Sequence, residues 1–169
     1  MPKIGDDKQA TAEISSIFSR SARTDKIRNA TLMIAAEAGH KLNRRQGRAL
    51  VYGLPDGRTV RLRTTTHRCL QVTATSPDMD RAALDIEGVD FLLFGATESG
   101  GDTDTVEAYL IPSDIAAADV RAAHKAWLAA GATTKGENLK PAIWLDRAIP
   151  TSDKFSMKWA KYRIGTTTI

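Results

Sequence analysis

Basic side chains concentrate in one stretch of the sequence, residues 41–68. It holds a single acidic residue, Asp56, and eight basic ones: Lys41, Arg44, Arg45, Arg48, Arg58, Arg61, Arg63 and Arg68. A guanidinium group donates parallel hydrogen bonds to phosphate or carboxylate oxygens, so clustered arginines suit a polyanion such as nucleic acid. The alternatives are a solvated basic surface, or a sheet face whose arginines are neutralised by Asp or Glu from elsewhere in the chain.

The spacing of two of these arginines predicts that they share one face of a β-strand. Pro55-Asp56-Gly57 separates two runs with alternating apolar residues, which predicts a β-hairpin of strands 48–54 and 58–65. Because side chains alternate along a strand, Arg61 and Arg63 point away from the apolar residues that flank them. The residues predicted to contact the phosphates of nucleic acid are Arg48, Arg58, Arg61, Arg63 and Arg68.

Further strands are predicted to complete a mixed sheet. Residues 70–74 continue the alternation as a third strand, so that the hairpin becomes a meander. The apolar runs 89–96 and 106–112 have the length and composition of strands buried on both faces. The turn residues between them make them neighbours at the centre of the sheet. Residues 142–145 are predicted to add an edge strand.

Helices are predicted on both sides of these strands along the chain. Apolar residues at helical spacing indicate helices at 9–20 and 25–41, separated by the polar segment 19–23. A later helix should begin with Ser113 as its N-cap and end before Gly131. The residues of this helix predicted to face the sheet are Ile115, Ala118, Ala122, Ala126 and Trp127.

Length and composition favour one α/β domain in the cytoplasm. With 169 residues, 42% of them hydrophobic, residues 9–169 are predicted to form a single domain and residues 1–8 a flexible start. Cys69 is the one cysteine, which excludes an internal disulfide and fits a reducing compartment. No apolar run approaches the roughly 20 residues that span a bilayer, and the N-terminus lacks a signal-peptide core, so no membrane partner is predicted.

The remaining residues with chemical potential lack the spacing of a known kind of site. His40, His67 and His124 are scattered and have no cysteine partner, so no zinc site is predicted. Gly100-Gly101 lacks the lysine and the helix start of a phosphate loop. In the C-terminal tail, Trp159 among its lysines could stack on nucleic acid, but packing on the core is the favoured interpretation.

The order of the predicted elements resembles the restriction-endonuclease-like, or PD-(D/E)XK, superfamily. The segments that carry the resemblance are DFLLFG, from Asp90, and YLIPSD, from Tyr109, and it covers about residues 25–165. In that superfamily a helix precedes a meander, and a central strand pair is followed by a covering helix. The resemblance implies an α/β domain with N-terminal helices, a mixed central sheet made of a β-meander plus two core strands, and a covering helix in the C-terminal half.

Active members of this superfamily bind one or two Mg²⁺ ions through an aspartate near a strand turn and an acidic-x-lysine motif on the next strand. Pro55-Asp56 matches the first part, and Glu37 on the preceding helix would be an accessory ligand. The second part is replaced by Arg61 and Arg63, and a guanidinium has no acceptor to offer a metal ion. The resemblance therefore implies a degenerate motif without a metal cofactor, with Glu37 and Asp56 as the candidate catalytic residues.

These patterns predict a nucleic-acid-binding protein with a restriction-endonuclease-like fold and no catalytic activity. One alternative is a Mg²⁺-dependent DNA endonuclease whose carboxylates have migrated, with candidates Glu37, Asp56, Asp90 and Glu107. A second is a protein-binding module, as an inhibitor, a complex subunit or a homodimer, in which the mostly acidic residues 78–119 meet a basic partner. Fold alone does not choose among these functions.

Overall fold

Within the part of the chain that the structure describes, two helices lie on opposite faces of a mixed six-stranded sheet. The computed structural model describes residues 6–47, 50–66, 69–97, 105–131, 141–144 and 158–169. In chain order the elements are α1 (Asp6–Glu37), β1 (Asn43–Arg44), β2 (Val51–Gly53), β3 (Thr59–Thr65), β4 (Cys69–Gln71), β5 (Phe91–Ala96), β6 (Thr105–Pro112), α2 (Ser113–Ala129), β7 (Ala142–Trp144) and β8 (Arg163–Thr168).

The main sheet has the strand order β1-β2-β3-β5-β6-β8. β3 and β5 are parallel, and the other neighbouring pairs are antiparallel. β4 and β7 form a separate two-stranded antiparallel sheet. The predicted α/β class and mixed central sheet are confirmed, and so are β5 and β6 as adjacent buried strands in the interior of that sheet.

Each face of the main sheet packs against one helix. On the face that we call the α2 face, Leu92 and Phe94 of β5 pack with Val120 and other small apolar residues of α2. On the opposite α1 face, the alternate residue Leu93 packs with Ala35 of α1. The strict alternation of side chains along β5 therefore supplies both cores, which explains the unbroken apolar run in its sequence.

Helix α1 is continuous from Asp6 to Glu37, so the predicted division into two helices at residues 19–23 is wrong. That segment contains neither glycine nor proline, and serine and arginine are tolerated in a helix interior. The helix starts at Asp6, inside the stretch 1–8 predicted to be flexible, and residues 1–5 lie outside the described part of the chain.

The predicted hairpin around Pro55-Asp56-Gly57 is confirmed, with Val51 opposite Arg61. The predicted third strand of the meander is wrong in its partner: Cys69–Gln71 pairs with β7, whereas β1 completes the meander at the outer edge of β2. An alternating pattern indicates a half-buried strand, but it does not identify the strand's neighbour. The strand predicted at 142–145 is present as Ala142–Trp144, but it pairs with β4 and does not form an edge of the main sheet. Residue 145 lies outside the described residues.

Helix α2 ends before Gly131 as predicted, but its buried stripe is different. The buried residues are Ser113, Ala116, Ala117, Asp119, Val120, Ala123 and His124. The predicted Ala118, Ala122 and Trp127 are exposed. Alanines occur on every side of this helix, so its sequence does not define one apolar stripe. Pro112, not Ser113, is the N-cap, and the Ser113 hydroxyl is buried without a hydrogen-bond partner in the described part of the chain.

The C-terminal tail packs on both faces of the sheet. Trp159 is fully buried and meets Phe94 edge to face, with ring centroids 6.4 Å apart, which confirms the core interpretation of this residue. Strand β8 follows and brings Ile164 and Ile169 to the α1 face. None of the helices in the described ranges is long and apolar enough to cross a membrane.

Candidate nucleic-acid interface

Three arginines lie in a row on the α2 face, at the side of the sheet formed by β1, β2 and β3. Arg61 pairs with Val51 in β2 and with Leu92 in β5, and directly paired residues project to the same face. Leu92 belongs to the core beneath α2, so Arg61 and Arg63 project on that side. Arg45 reaches the same face from the end of β1. We call Arg45, Arg61 and Arg63 the arginine row.

Arg45 is positioned by the hairpin. Its backbone N–H donates to the carbonyl of Val51 at 3.0 Å. A Cβ atom at Gly53 would lie 3.4 Å from Nε of Arg45, so the guanidinium occupies the space above this glycine. An outer nitrogen of the group donates to the carbonyl of Gly57 at 3.3 Å. The result is an exposed cation, held against the hairpin by a neutral acceptor.

Arg61 is the member of the row that has no ion pair with any described residue. Its side chain is half-buried beside the apolar Val51 and Leu92. Its Nε is buried, and no hydrogen-bond acceptor reaches that atom from the residues that the structure describes. An unsatisfied buried donor costs about 1–3 kcal/mol, more on a charged group, so an oxyanion that is not among the described residues would stabilise this position.

Arg63 is neutralised within the protein. It donates to Oδ2 of Asp85 at 2.7 Å and to the carbonyl of Gln71 at 2.6 Å. The side chains of Arg63 and Asp85 are 29% and 33% exposed, so the pair lies at the border between core and solvent. For this arginine the structure matches the salt-bridged alternative stated for the sheet face.

The other predicted arginines do not join the row. Arg58 lies toward the α1 face, with its guanidinium 4.8 Å from the ring centre of Phe91, and its Nε donates to Asp56 at 2.7 Å. Phe91 pairs with Val60, a residue of the α1-face core, which fixes this assignment of sides. Arg48 and Arg68 lie outside the described residues.

Two of the candidate carboxylates lie near one another at the hairpin turn, and both accept hydrogen bonds from neighbouring residues. Asp56 accepts the backbone N–H of Arg58 at 3.0 Å, and this bond, with the Arg58 guanidinium, lowers the pKa of the carboxyl. Asp90 accepts the backbone N–H of Thr59 at 2.7 Å and its hydroxyl at 3.0 Å, which lowers its pKa although the charge of Asp56 acts in the opposite direction. Asp56 thus completes the turn, and Asp90 ties β5 to the start of β3.

The other candidate carboxylates have different surroundings. Glu37 is exposed at the last residue of α1. Glu107 on β6 accepts the hydroxyl of Tyr109 at 3.0 Å and lies 3.8 Å from the guanidinium of Arg163. Among the residues in the described ranges, no group of three or more His, Cys, Asp and Glu is placed to hold a metal ion.

Sequence reasoning placed Arg61 and Arg63 together on one face but did not include Arg45 among the candidate binding residues. The available signal was Gly53, since a glycine inside a strand pattern often marks the close approach of another group. Asp85, the acidic partner of Arg63, lies 22 residues further along the chain, and no short sequence pattern identifies it as that partner.

A comparison of the chain with protein-family models, curated proteins and solved structures gives no match. Function is therefore inferred from the chemistry of the site. The arginine row offers one fixed exposed cation, one cation with an unsatisfied buried donor and one cation already paired. Such a surface can bind oxyanions.

Proposed function

We propose that the protein binds nucleic acid through its phosphate groups, with Arg45 and Arg61 as the contacting residues. The observation that carries this proposal is the guanidinium of Arg61, which is half-buried and has a buried Nε that no described residue accepts from. Arg45 lies on the same sheet face, across β2 from Arg61, and its guanidinium bonds to the neutral carbonyl of Gly57. Two cations on one sheet face suit the phosphates of a polyanion.

Phosphate contact is favoured over the reading of bases. Phe94 and Tyr109, the aromatic residues of the same face that belong to the core under α2, are buried and offer no ring surface for stacking. Guanidinium contacts to phosphates fix orientation without carrying sequence information. We therefore expect binding with little sequence preference and a strong dependence on salt.

We also propose that the arginine row does not hydrolyse nucleic acid. The resemblance to the endonuclease superfamily assigns a carboxylate and a lysine to the strand that carries Arg61 and Arg63. A guanidinium supplies no lone pair to a metal ion and stays protonated, so neither residue can take the place of the carboxylate. Arg63, bonded to Asp85, serves to hold the strand and the loop together.

The test is a salt series of affinities for single-stranded DNA, duplex DNA and RNA, measured by fluorescence anisotropy on the wild type, Arg61→Gln and Arg45→Gln. Each substitution should weaken binding roughly fivefold or more, since one charge-assisted hydrogen bond contributes about 1 kcal/mol or more. Each should also reduce the slope of log affinity against log salt by about 0.7–0.9, one phosphate contact. Arg58→Gln, in the same hairpin but toward the α1 face, is the matched control and should leave both quantities nearly unchanged.

Two results would contradict the proposal. Undetectable binding to all three nucleic acids at low salt would favour a protein partner for the basic surface. Cleavage of plasmid or single-stranded DNA in Mg²⁺ or Mn²⁺, abolished by Asp56→Ala, would favour the endonuclease alternative instead.

A further inference from the structure

A cleft of about 210 Å³ opens between α1 and the end of β3. Its walls are four threonines and one isoleucine: Thr24, Ile27, Thr64, Thr65 and Thr66. Thr64 follows Val60 and Leu62 on the α1 face, so the cleft lies on the opposite side of the sheet from the arginine row. It is a separate site, whose occupation does not depend on nucleic-acid binding.

The cleft lies at the carboxyl ends of two neighbouring parallel strands, β3 and β5. The backbone N–H of Thr97, just after β5, donates to the carbonyl of Thr65 at 3.1 Å and ties the two strand ends together. In α/β sheets, the crevice outside the carboxyl ends of parallel strands is the usual position of a ligand. The topology thus gives a reason, independent of the lining, to regard this cleft as a binding site.

The α1 wall of the cleft is held close to the sheet. Thr31 lies against Gly95 of β5, where a Cβ atom would come within 1.9 Å of the threonine Oγ1. That hydroxyl donates to the carbonyl of Ile27, the apolar residue of the lining, at 2.7 Å. Ile27 itself is buried, so the wall that faces β3 is formed by a packed part of the helix.

The five described lining residues are uncharged, and four of them carry a hydroxyl group. A threonine hydroxyl can donate one hydrogen bond and accept others, and the hydroxyls of Thr64 and Thr66 have no partner among the residues that the structure describes. A charged ligand would lose hydration without meeting an opposite charge on these five residues. The volume equals that of about seven waters at roughly 30 Å³ each.

From this lining we infer that the cleft binds a small neutral polyhydroxylated molecule, a polyol or a monosaccharide. The hydroxyls of Thr64 and Thr66 would exchange hydrogen bonds with the ligand's hydroxyls, and Ile27 would contact its C–H groups. Donor and acceptor capacity on both sides is the feature that separates this ligand class from apolar molecules and from simple anions.

The inference is tested by titrating the ¹⁵N-labelled full-length chain with D-ribose, glycerol and inorganic phosphate and following the backbone amide shifts. Ribose or glycerol should cause saturable shifts at residues 64–66 and in α1 near Ile27. Thr64→Val, which removes the hydroxyl and keeps the shape, should weaken binding about fivefold, the value of one neutral hydrogen bond. Thr64→Ser should retain binding, and Thr166→Val on β8, an exposed threonine away from the cleft, should have no effect.

Three outcomes would overturn the inference. The first is no shift at these residues with any probe up to about 100 mM, two decades above a 1 mM dissociation constant, which would leave the cleft to water. The second is saturation by phosphate but not by ribose or glycerol, which would make it an anion site. The third is equal affinity in the wild type and in Thr64→Val, which would place the bound molecule elsewhere.

Discussion

Arg61 and Arg63 lie two residues apart on one strand and have different partners. Arg63 bonds to Asp85, while Arg61 has a buried Nε that no described residue satisfies. We therefore expect a change at Arg63 to act first on folding and a change at Arg61 to act on the proposed binding. Their sequence positions alone predicted the same role for both, because alternation along a strand defines a face and not the partners on it.

We predict that Arg63→Gln destabilises the protein by about 1 kcal/mol, whereas Arg61→Gln, which removes an unsatisfied buried donor, leaves the stability unchanged or raises it. The loss at Arg63 is modest because both partners are about one-third exposed and solvent screens the pair. Urea denaturation of both variants at neutral pH gives the two free energies of unfolding. A larger loss for Arg61→Gln than for Arg63→Gln would show that Arg61 is the structural residue.

His124 gives a second prediction at the scale of the residue. It is 5% exposed, its Nε2 is buried without a hydrogen bond to any described residue, and burial lowers the pKa of the imidazole below its ordinary value of 6.5. The unfolded chain then binds the proton more readily than the folded one. The contribution of His124 to the free energy of unfolding is therefore fully present above about pH 6.5 and is lost as the pH falls below that value. The loss amounts to about 1.4 kcal/mol for each unit by which the pKa is lowered.

In His124→Gln, the free energy of unfolding should stay constant between pH 7 and 5 to within about 0.5 kcal/mol. In the control variant His40→Gln, it should decline as in the wild type. The pH range separates this effect from the carboxylates: the lowered pKa values of Asp56, Asp90 and Glu87 withdraw stability only as the pH falls below their ordinary values of 3.8 and 4.5. Denaturation midpoints across this range are the measurement. A decline of equal size in His124→Gln would assign the effect to another group.

At the scale of the element, local signals predicted the hairpin, the pair β5 and β6, and the end of α2. Pro55-Asp56-Gly57 is a sufficient turn signal, and Gly131 adopts the positive φ, +94°, that a helix end of this kind requires. The continuity of α1, the partner of β4 and the buried stripe of α2 depend on contacts between distant segments. No short sequence pattern reports such contacts.

The contact between α1 and β5 gives a prediction that tests the packing of a whole helix. A Cβ atom at Gly95 would lie 1.9 Å from Oγ1 and 2.9 Å from Cβ of Thr31, so Gly95→Ala must displace α1 or the strand. Overpacking of this kind costs about 1–3 kcal/mol. Thr31→Ala removes the closest of these atoms, so Gly95→Ala should cost less in that background.

The double-mutant cycle decides between this packing and a looser one. The four proteins are the wild type, Gly95→Ala, Thr31→Ala and the double variant, compared by thermal or urea unfolding. A cost of Gly95→Ala that is the same with and without the Thr31 side chain would show that the helix does not approach the strand at this point.

At the scale of the whole molecule, the C-terminal segment holds the two faces of the sheet together. Trp159 enters the core under α2, and β8 then runs along β6 and carries Ile164 to the α1 face. The sequence predicted the burial of the tryptophan. It did not predict β8, although the β-branched residues from Ile164 to Ile169 are a usable strand signal.

The anchor of this segment is a buried polar contact with α2. The indole N–H of Trp159 donates to Oδ2 of Asp119 at 2.8 Å, and Asp119 is 7% exposed. Nζ of Lys158 lies 2.6 Å from the other carboxylate oxygen. Removing either Asp119 or the indole leaves a buried polar group with one partner fewer, a loss that mutational studies place at about 1–3 kcal/mol.

We predict that Asp119→Ala and Trp159→Phe each destabilise the protein by about 1–3 kcal/mol, and that the double variant loses at least about 1 kcal/mol less than their sum. The matched control is Lys125 with Asp80, which also joins α2 to a distant segment but whose side chains are 52% and 76% exposed. That pair should show a coupling below about 0.5 kcal/mol, because solvent competes for both charges. Urea denaturation of the wild type and the six variants at neutral pH measures both couplings. A buried contact should show a larger coupling than an exposed one. Equal couplings would therefore show that the contact with Asp119 does not hold the C-terminal segment to α2.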